Sequence, residues 1–264
     1  MKQAFDNWHV RIADGLMNLY PTLDKRWSYD YGVVWKGMAA LYTLSGDRKY
    51  FDYIRRGMDS FLNADGTQIR DYHREEYNLD YINNGKLLLY LWQQTGDARY
   101  KTAAELLLDQ LLHQPRTPEG GFWHKQIYTG QMWLDGLYMG EPFYAECAKL
   151  FDHAEWFDDI THQFLLVREK TMHKPTGLGL HAWDSTHAQP WANPETGCSP
   201  HVWGRAVGWY ACAVADTLDY LPQGSLNRHK MVTLLADLLA AVWKAQDKRT
   251  HVWLQVMDAP DRPG

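Results

Sequence analysis

Cysteine is scarce in this sequence of 264 residues. The three cysteines, Cys147, Cys198 and Cys212, are odd in number, and none forms a C-x-x-C pair. This pattern argues against a disulfide framework and against a zinc ribbon, so we expect ordinary buried or loop thiols. A reducing cytoplasm is the predicted location.

Basic clusters and long apolar runs are also missing. The formal net charge is -5, the pI is about 6.2, and no block is rich in Lys or Arg. A nucleic-acid backbone and an anionic membrane surface are therefore not favoured as partners. Charged residues interrupt the N-terminal stretch, and no later span of about 18 residues is uniformly apolar, so we expect neither a signal peptide nor a transmembrane helix.

Aromatic residues, by contrast, are abundant. The chain contains 13 Trp and 16 Tyr, and its hydrophobic content of 45% suits one large domain over 1–264 with a substantial core. Aromatic faces stack on the C–H faces of sugar rings, and their polar tips bond to hydroxyl groups, which favours a carbohydrate ligand. A core packed with rings is the alternative explanation.

A repeat of about fifty residues runs through the chain. S-G-D-R-K-Y at 45–50 matches T-G-D-A-R-Y at 95–100, and the same offset places Asp30-Tyr31 on Asp80-Tyr81. Looser copies begin near Asp135 and near Trp203. Repeats of this length usually hold a supersecondary unit whose apolar face is covered by the next copy.

Segments of two kinds alternate and predict pairs of helices. Four are apolar on nearly all sides, as expected of helices buried between neighbours: 32–44, 82–94, 136–150 and 203–221. Four others mix charged and apolar residues at helical spacing, as expected of a half-solvated outer layer: 47–63, 97–113, 152–171 and 226–247. We therefore predict an all-α fold, an α/α toroid with an inner ring of helices inside an outer ring.

The connections between these helices are of two lengths. Gly46-Asp47 and Gly96-Asp97 fit tight turns in which Gly ends one helix and Asp caps the next. The other connections are long, at about 64–79, 115–134 and 173–202. All three precede inner helices, so we expect them to gather at one rim, where long loops are usually functional.

Four charged residues mark the starts of the predicted inner helices: Asp30, Asp80, Asp135 and Arg205. The repeat predicts that they surround one mouth. Asp135 is the most unusual, because it lies inside the apolar stretch Q-M-W-L-D-G-L-Y-M at 131–139, where lost hydration favours a protonated carboxyl group. A structural alternative exists for each aspartate, because a carboxylate near a helix N-terminus can act as an N-cap and have no part in catalysis.

The long loops add imidazole and indole groups to this mouth: His124, His181, Trp123, Trp183, Trp203 and Trp209. Acids, imidazoles, a guanidinium and several indoles describe a pocket for a sugar that bears a carboxylate, which Arg205 would clamp. Each residue also has a structural explanation. The histidines could be structural hydrogen-bonded residues, Arg205 could form a simple ion pair, and the tryptophans could belong to the core. Because HExxH, P-loop and Rossmann patterns are missing, we expect neither a metal nor another cofactor.

Four motifs in order resemble those of the unsaturated rhamnogalacturonyl hydrolases, family 105 of the glycoside hydrolases. They are Y-N-L-D-Y-I-N-N-G-K at 77–86, M-W-L-D-G-L-Y-M at 132–139, G-L-H-A-W-D at 179–184 and W-G-R-A-V-G-W at 203–209. The resemblance runs from about Trp27 to the C-terminus. It implies an (α/α)6 barrel and removal of a 4,5-unsaturated galacturonyl residue from pectin-derived oligosaccharides.

The resemblance also implies roles for single residues. Asp135 matches the family's general acid/base, and Asp80 matches its second essential acid. His124, His181, Arg205 and Trp209 match the family's substrate-contacting positions. Three further residues are predicted to bind substrate without such a match: Trp133, Trp203 and Asp30. Such an enzyme protonates and hydrates the vinyl ether of the unsaturated sugar, and an unsaturated uronide oligosaccharide is the expected partner.

Two matters stay open at this point. The chain holds about four and a half helical hairpins where the family has six, so we expect a truncated or open toroid whose activity is an open question. An unsaturated glucuronyl hydrolase acting on glycosaminoglycan or ulvan fragments is an alternative function. A non-catalytic sugar-binding scaffold is another. The sequence leaves the partner sugar and the oligomeric state undetermined.

Overall fold

The computed structural model describes residues 7–259 and residue 261. Helices dominate this part of the chain, and each strand has only two or three residues. A 3-10 turn at Arg74–Glu76 precedes α4. In chain order the other elements are α1 (Trp8–Leu19), α2 (Tyr29–Ser45), α3 (Arg48–Asp59), α4 (Leu79–Ile82), α5 (Gly85–Thr95), α6 (Ala98–Leu112), β1 (Gln131–Trp133), α7 (Leu134–Leu150), α8 (Trp156–Thr171), β2 (Met172–His173), β3 (Leu178–Gly179), β4 (Ala182–Asp184), α9 (Gly204–Leu218) and α10 (Leu226–Lys244).

Most predicted helices are present within a few residues of their expected bounds, and the all-α class is confirmed. The helix predicted over 82–94 starts later than expected, because α4 ends at Ile82 and α5 starts at Gly85. The sequence also did not predict α1 or the short strands in the loops before α7 and α9. None of the helices formed by residues 7–259 is both long and apolar enough to cross a lipid bilayer.

The described chain divides into two compact units. The first comprises 7–73 and 81–109, and the second comprises 74–80 together with 110–259 and residue 261. The expected single domain over 1–264 remains a prediction.

In the first unit, α2 and α3 form an antiparallel pair joined by the predicted tight turn. Gly46 ends α2 with a φ of 69°, a left-handed conformation that Gly adopts without steric cost. The Asp47 carboxylate then accepts a hydrogen bond from the Lys49 backbone N–H at 3.1 Å and caps α3. Gly96 ends α5 in the same way, with a φ of 70°, so both predicted Gly-Asp turns are confirmed.

The break between α4 and α5 is stabilised by two buried asparagines. Asn83 Nδ2 donates to the Tyr29 carbonyl at 2.9 Å, and Asn84 Nδ2 donates to the Ser28 carbonyl at 3.2 Å. Gly32 of α2 leaves space for both side chains, because a Cβ there would lie 2.3 Å from Asn84 Oδ1. The asparagines therefore bond to the first turn of α2, and the helix is interrupted where they do so.

In the second unit, α7 is the central helix. Its residues are buried continuously from Leu134 to Ala148, as expected of a helix that is apolar on nearly all sides. It packs against α8 and α9, and α10 packs against α8 and α9 in turn. Of these helices, α7 and α9 begin after long loops, and those loops carry most of the predicted site.

Short strands connect two of those loops. β1 and β4 pair antiparallel, with Gln131 opposite Asp184 and Trp133 opposite Ala182. This pairing joins the loop before α7 to the loop before α9. β2 and β3 form a second antiparallel pair in which Met172 lies opposite Gly179.

Candidate active site

The four predicted rim residues occupy equivalent places in their helices. Asp30, Asp80, Asp135 and Arg205 are each the second residue, of α2, α4, α7 and α9 respectively. The N-cap positions of α2, α7 and α9 are held by Ser28, Trp133 and Trp203, and none of these side chains makes a capping hydrogen bond. The N-cap explanation is therefore wrong for Asp30 and Asp135.

Asp135 is buried, as its apolar surroundings predicted. The whole residue is 9% exposed and its side chain 12%. His181 Nε2 lies 3.2 Å from Asp135 Oδ2, and it is the only basic group of the described residues within 4.0 Å of this carboxyl group. The two atoms are not aligned for a hydrogen bond, and both remain unsatisfied. The carboxyl group of Asp135 therefore has one buried oxygen that no donor satisfies.

Asp80 has a different environment. Lys125 Nζ lies 2.7 Å from Asp80 Oδ2, and His124 Nε2 lies 3.7 Å from Asp80 Oδ1. The Asp80 side chain is 18% exposed, so this ion pair is largely shielded from water. The carboxylate of Asp80 is therefore paired with the ammonium group of Lys125.

His124 lies between the two acids and is almost completely buried, with 2% of the residue exposed. Burial lowers the pKa of His124 from 6.5 to about 4, although the neighbouring Asp80 acts to raise it. The imidazole is therefore neutral near neutral pH. Its Nδ1 has no hydrogen-bond partner, and it faces the first turn of α7, where a Cβ on Gly136 would lie only 3.0 Å away.

Aromatic rings form a continuous wall beside the acids. Trp133 stacks on His124 at 4.6 Å between ring centroids and on Tyr128 at 4.7 Å. Trp133 also meets His181 edge to face at 5.2 Å. His181 then meets Trp203 at 4.9 Å. The ring contacts thus lead from His124 beside Asp80 to His181 beside Asp135, so both acids belong to one site.

Arg205 extends this wall at the start of α9, and Trp209 lies about one turn further along the same helix. The guanidinium carbon of Arg205 lies 3.9 Å from the ring centroid of Trp203, which is a close cation–π contact. Trp209 packs against Tyr138 at 4.5 Å. Arg205 is exposed in spite of its stacking contact, so its guanidinium group is accessible to an anionic ligand.

Backbone hydrogen bonds hold the loops of the site together. The Leu79 N–H donates to the His124 carbonyl at 3.1 Å, which fixes the residue before Asp80. The Leu134 N–H donates to the His181 carbonyl at 3.1 Å, which fixes the residue before Asp135. Each acid therefore follows a residue bonded to the loop that supplies its histidine.

Asp184 organises the loop that follows β4. The residue is fully buried, and its carboxylate accepts hydrogen bonds from the backbone N–H groups of Thr186, Ala188 and Gln189 at 2.9–3.0 Å. Burial acts to raise the pKa of Asp184, but these donors and the Thr186 hydroxyl outweigh burial and lower the pKa. A stable anion thus fixes the loop beyond His181.

The remaining predicted residues have separate places. Trp183 is 3% exposed in β4, so the core explanation is confirmed for this residue. Trp123 is half-buried, and its indole Nε1 has no partner. Asp30 lies in the first unit, where its half-exposed side chain contacts Ser28 and, at 3.6 Å, Arg26. A substrate role for Asp30 remains a prediction.

The sequence did not predict two residues of the site, Lys125 and Tyr128. Lys125 directly follows His124 in the motif E-G-G-F-W-H-K, so its position beside a candidate histidine was the available signal. Tyr128 carried no signal, because its stacking on Trp133 depends on the turn between them. Among the residues that the structure describes, no cluster of three or more His, Cys, Asp or Glu is arranged to hold a metal ion.

Comparison with known proteins identifies the family. The family model described as Glycosyl Hydrolase Family 88 matches residues 2–264. The chain therefore belongs to this family of glycoside hydrolases, which includes unsaturated uronyl hydrolases. Unsaturated rhamnogalacturonyl hydrolase YesR from Bacillus subtilis (strain 168) is 26% identical over 256 residues, covering 95% of this chain and 70% of YesR.

Solved structures agree with this assignment. A glycoside hydrolase of family 105 from C. acetobutylicum ATCC 824 has 44% sequence identity and a TM-score of 0.94, covering 97% of this chain and 71% of that one. The unsaturated glucuronyl hydrolase of Bacillus sp. GL1 has 16% identity and a TM-score of 0.69, covering 91% of this chain and 68% of that one, and shows the shared fold alone. The predicted family and the α/α-toroid class are confirmed.

Proposed function

We propose that this protein removes a 4,5-unsaturated galacturonyl residue from the non-reducing end of rhamnogalacturonan oligosaccharides. The observation that carries the proposal is the pair of acids in one aromatic-walled site, one paired with Lys125 and the other buried beside a histidine. The similarity to an unsaturated rhamnogalacturonyl hydrolase over 95% of this chain supports the galacturonyl substrate.

Asp135 acts as the general acid and base. Its protonated carboxyl group donates H⁺ to C4 of the C4=C5 double bond, and the positive charge at C5 is shared with the ring oxygen. Water then adds to C5 while the Asp135 carboxylate accepts a proton from it. One group can serve both steps, since the first step leaves it deprotonated.

Bond cleavage follows from the hydrated product. The hemiketal at C5 opens, the bond between C5 and the ring oxygen breaks, and C5 becomes a ketone. The ring oxygen becomes a hydroxyl on C1, and this hemiacetal expels the partner sugar as an alcohol. The enzyme therefore needs no second carboxylate as a nucleophile at C1, in contrast to ordinary retaining glycosidases.

The other residues of the wall bind the sugar. Trp133 and Trp203 provide flat apolar faces, and the accessible guanidinium of Arg205 suits the uronate carboxylate. The unpaired Asp135 Oδ2, His181 Nε2 and Trp123 Nε1 supply buried polar atoms that gain partners when substrate binds.

Replacing Asp135 by Asn tests this proposal. The amide keeps the shape of the side chain and cannot deliver the proton, so turnover is expected to fall by roughly 100-fold or more. The assay follows loss of the ultraviolet absorbance of the double bond in unsaturated galacturonyl-rhamnose. Thermal unfolding of the variant confirms that the loss is chemical.

Three results would count against the proposal. Wild-type turnover in Asp135→Asn would remove Asp135 from the chemistry. A preference of the wild-type protein for an unsaturated chondroitin disaccharide would instead identify a glucuronyl hydrolase. Binding of either sugar with no loss of absorbance would support a non-catalytic scaffold.

A further inference from the structure

Lys125 occupies a fixed turn beside the site. The Tyr128 N–H donates to the Lys125 carbonyl at 2.9 Å, and the Gln126 N–H donates to the Glu76 carbonyl at 2.8 Å. On the preceding side, the His124 N–H donates to the Gln131 carbonyl at 2.8 Å. The backbone around Lys125 is thus bonded both within its own loop and to the segment that leads into α4.

The side chain of Lys125 crosses to that same segment. Its ammonium lies 2.7 Å from Asp80 Oδ2, and the two side chains are 22% and 18% exposed. A charge-assisted contact this short and this shielded is stronger than an exposed surface pair. The other oxygen of Asp80, Oδ1, faces the neutral imidazole of His124 at 3.7 Å.

The two acids therefore differ in what holds them. Asp80 has one oxygen held by an ammonium group, whereas among the described residues His181 is the one basic group within 4.0 Å of the Asp135 carboxyl group. Pairs of carboxyl groups with contrasting surroundings commonly divide acid and electrostatic roles between them. A group that fixes one of the two acids acts on the reaction without contacting the reacting atoms.

We propose that Lys125 is a positioning residue that holds the Asp80 carboxylate in its working orientation toward the substrate. This inference rests on the proposed function, since it assigns to Asp80 a part in the same reaction. Lys125 acts through Asp80, so the effect of losing Lys125 depends on the presence of the aspartate. Direct binding of the uronate carboxylate by Lys125 is the competing explanation.

Kinetics of Lys125→Met and Lys125→Arg separate these explanations. Methionine has a similar length without the charge, and we expect kcat to fall about 10- to 100-fold, the size of one charge-assisted hydrogen bond, while KM stays within about twofold. Arginine restores the charge and should recover most of kcat. In an Asp80→Asn background, Lys125→Met should change kcat by less than about twofold.

A rise in KM with unchanged kcat, or full additivity with Asp80→Asn, would overturn the positioning role and favour direct substrate binding. The matched control is Lys49→Met, which removes a 2.9 Å pair with Asp14 in the first unit. This variant should keep wild-type kcat, so it measures how much of any loss arises from removing an ion pair in general.

A second measurement does not depend on turnover. Double-mutant cycles on the free energy of unfolding give the coupling of Lys125 with Asp80 and of Lys49 with Asp14. We expect the first coupling to be larger, because the Lys49 and Asp14 side chains are 40% and 39% exposed. A coupling no larger than that of the exposed pair would refute the Lys125 proposal, whether or not the protein is active on the chosen sugar. Inactivity of the wild-type protein on that sugar would count against the proposed function alone.

Discussion

Gly136 directly follows the proposed general acid, and replacing it by alanine tests how the site is packed. A Cβ at this position would lie 3.0 Å from His124 Nδ1 and 3.0 Å from Leu79 Cδ1. The Leu79 methyl group ends a flexible side chain and can yield. The His124 ring is less free, because it is stacked on Trp133 and its backbone is bonded on both sides.

Two opposing effects set the change in stability. An added methyl group in a packed interior costs about 1–3 kcal/mol. Alanine is favoured over glycine in a helix by about 0.8–1.0 kcal/mol. The free energy of unfolding of Gly136→Ala should therefore fall by no more than about 2 kcal/mol, so the variant remains folded.

Activity should suffer more than stability. Displacing a group at a catalytic site by about 1 Å can reduce the rate about 100-fold, and His124 contacts Asp80 and Trp133. We therefore expect kcat/KM of Gly136→Ala to fall by about 10- to 100-fold, measured by loss of absorbance of the unsaturated disaccharide.

Gly140 provides the matched control on the same helix. A Cβ there would lie 3.5 Å from Leu111 Cδ2 and 3.6 Å from Leu79 Cδ2, which are ordinary contacts. Gly140→Ala should keep wild-type activity and gain up to about 1 kcal/mol of stability from helix propensity. If Gly136→Ala matched Gly140→Ala in both assays, the close packing of His124 on α7 would not govern the site.

Two further predictions concern the dependence of stability on pH. Burial raises the pKa of Glu141 well above 4.5, so the folded state keeps a proton that the unfolded state releases, and stability is lost as pH rises above about 4.5. Glu141→Gln removes this loss. In urea unfolding between about pH 5 and about pH 8, the difference in free energy of unfolding between the variant and the wild type should grow with pH. A constant difference would contradict the raised pKa of Glu141. The pKa of His124 is lowered to about 4, so between about pH 6.5 and about pH 4 the unfolded state binds a proton that the folded state does not. The free energy of unfolding is therefore unaffected by His124 above about pH 6.5 and falls by roughly 3 kcal/mol on acidification to about pH 4. In His124→Gln this part of the acid dependence should disappear, and an unchanged slope would show that His124 is not neutral in the folded state.

The sequence predicted the helices and the starts of the inner helices well, because both depend on local patterns. Apolar periodicity marks α7, and the Gly46-Asp47 turn follows from the conformational freedom of Gly and the capping ability of Asp. The repeat correctly placed Asp135 and Arg205 at the starts of their helices, where each is the second residue. Neither result requires knowledge of distant contacts.

The parts that failed depend on contacts between distant segments. The break after Ile82 exists because Asn83 and Asn84 bond to the first turn of α2, about fifty residues earlier in the chain. The contact of Lys125 with Asp80 joins the loop before α7 to the first turn of α4, which belong to different copies of the repeat. No local pattern could have predicted either arrangement.

The pairing of β1 with β4 has a consequence for how such a protein can change. A shift of one residue in this register would turn every side chain of the strand to the opposite face, so inserting or deleting a residue between Gln131 and Asp135, or between His181 and Asp184, would disturb both loops at once. Length variation is therefore expected beyond Gln189, the last residue whose backbone N–H donates to the Asp184 carboxylate.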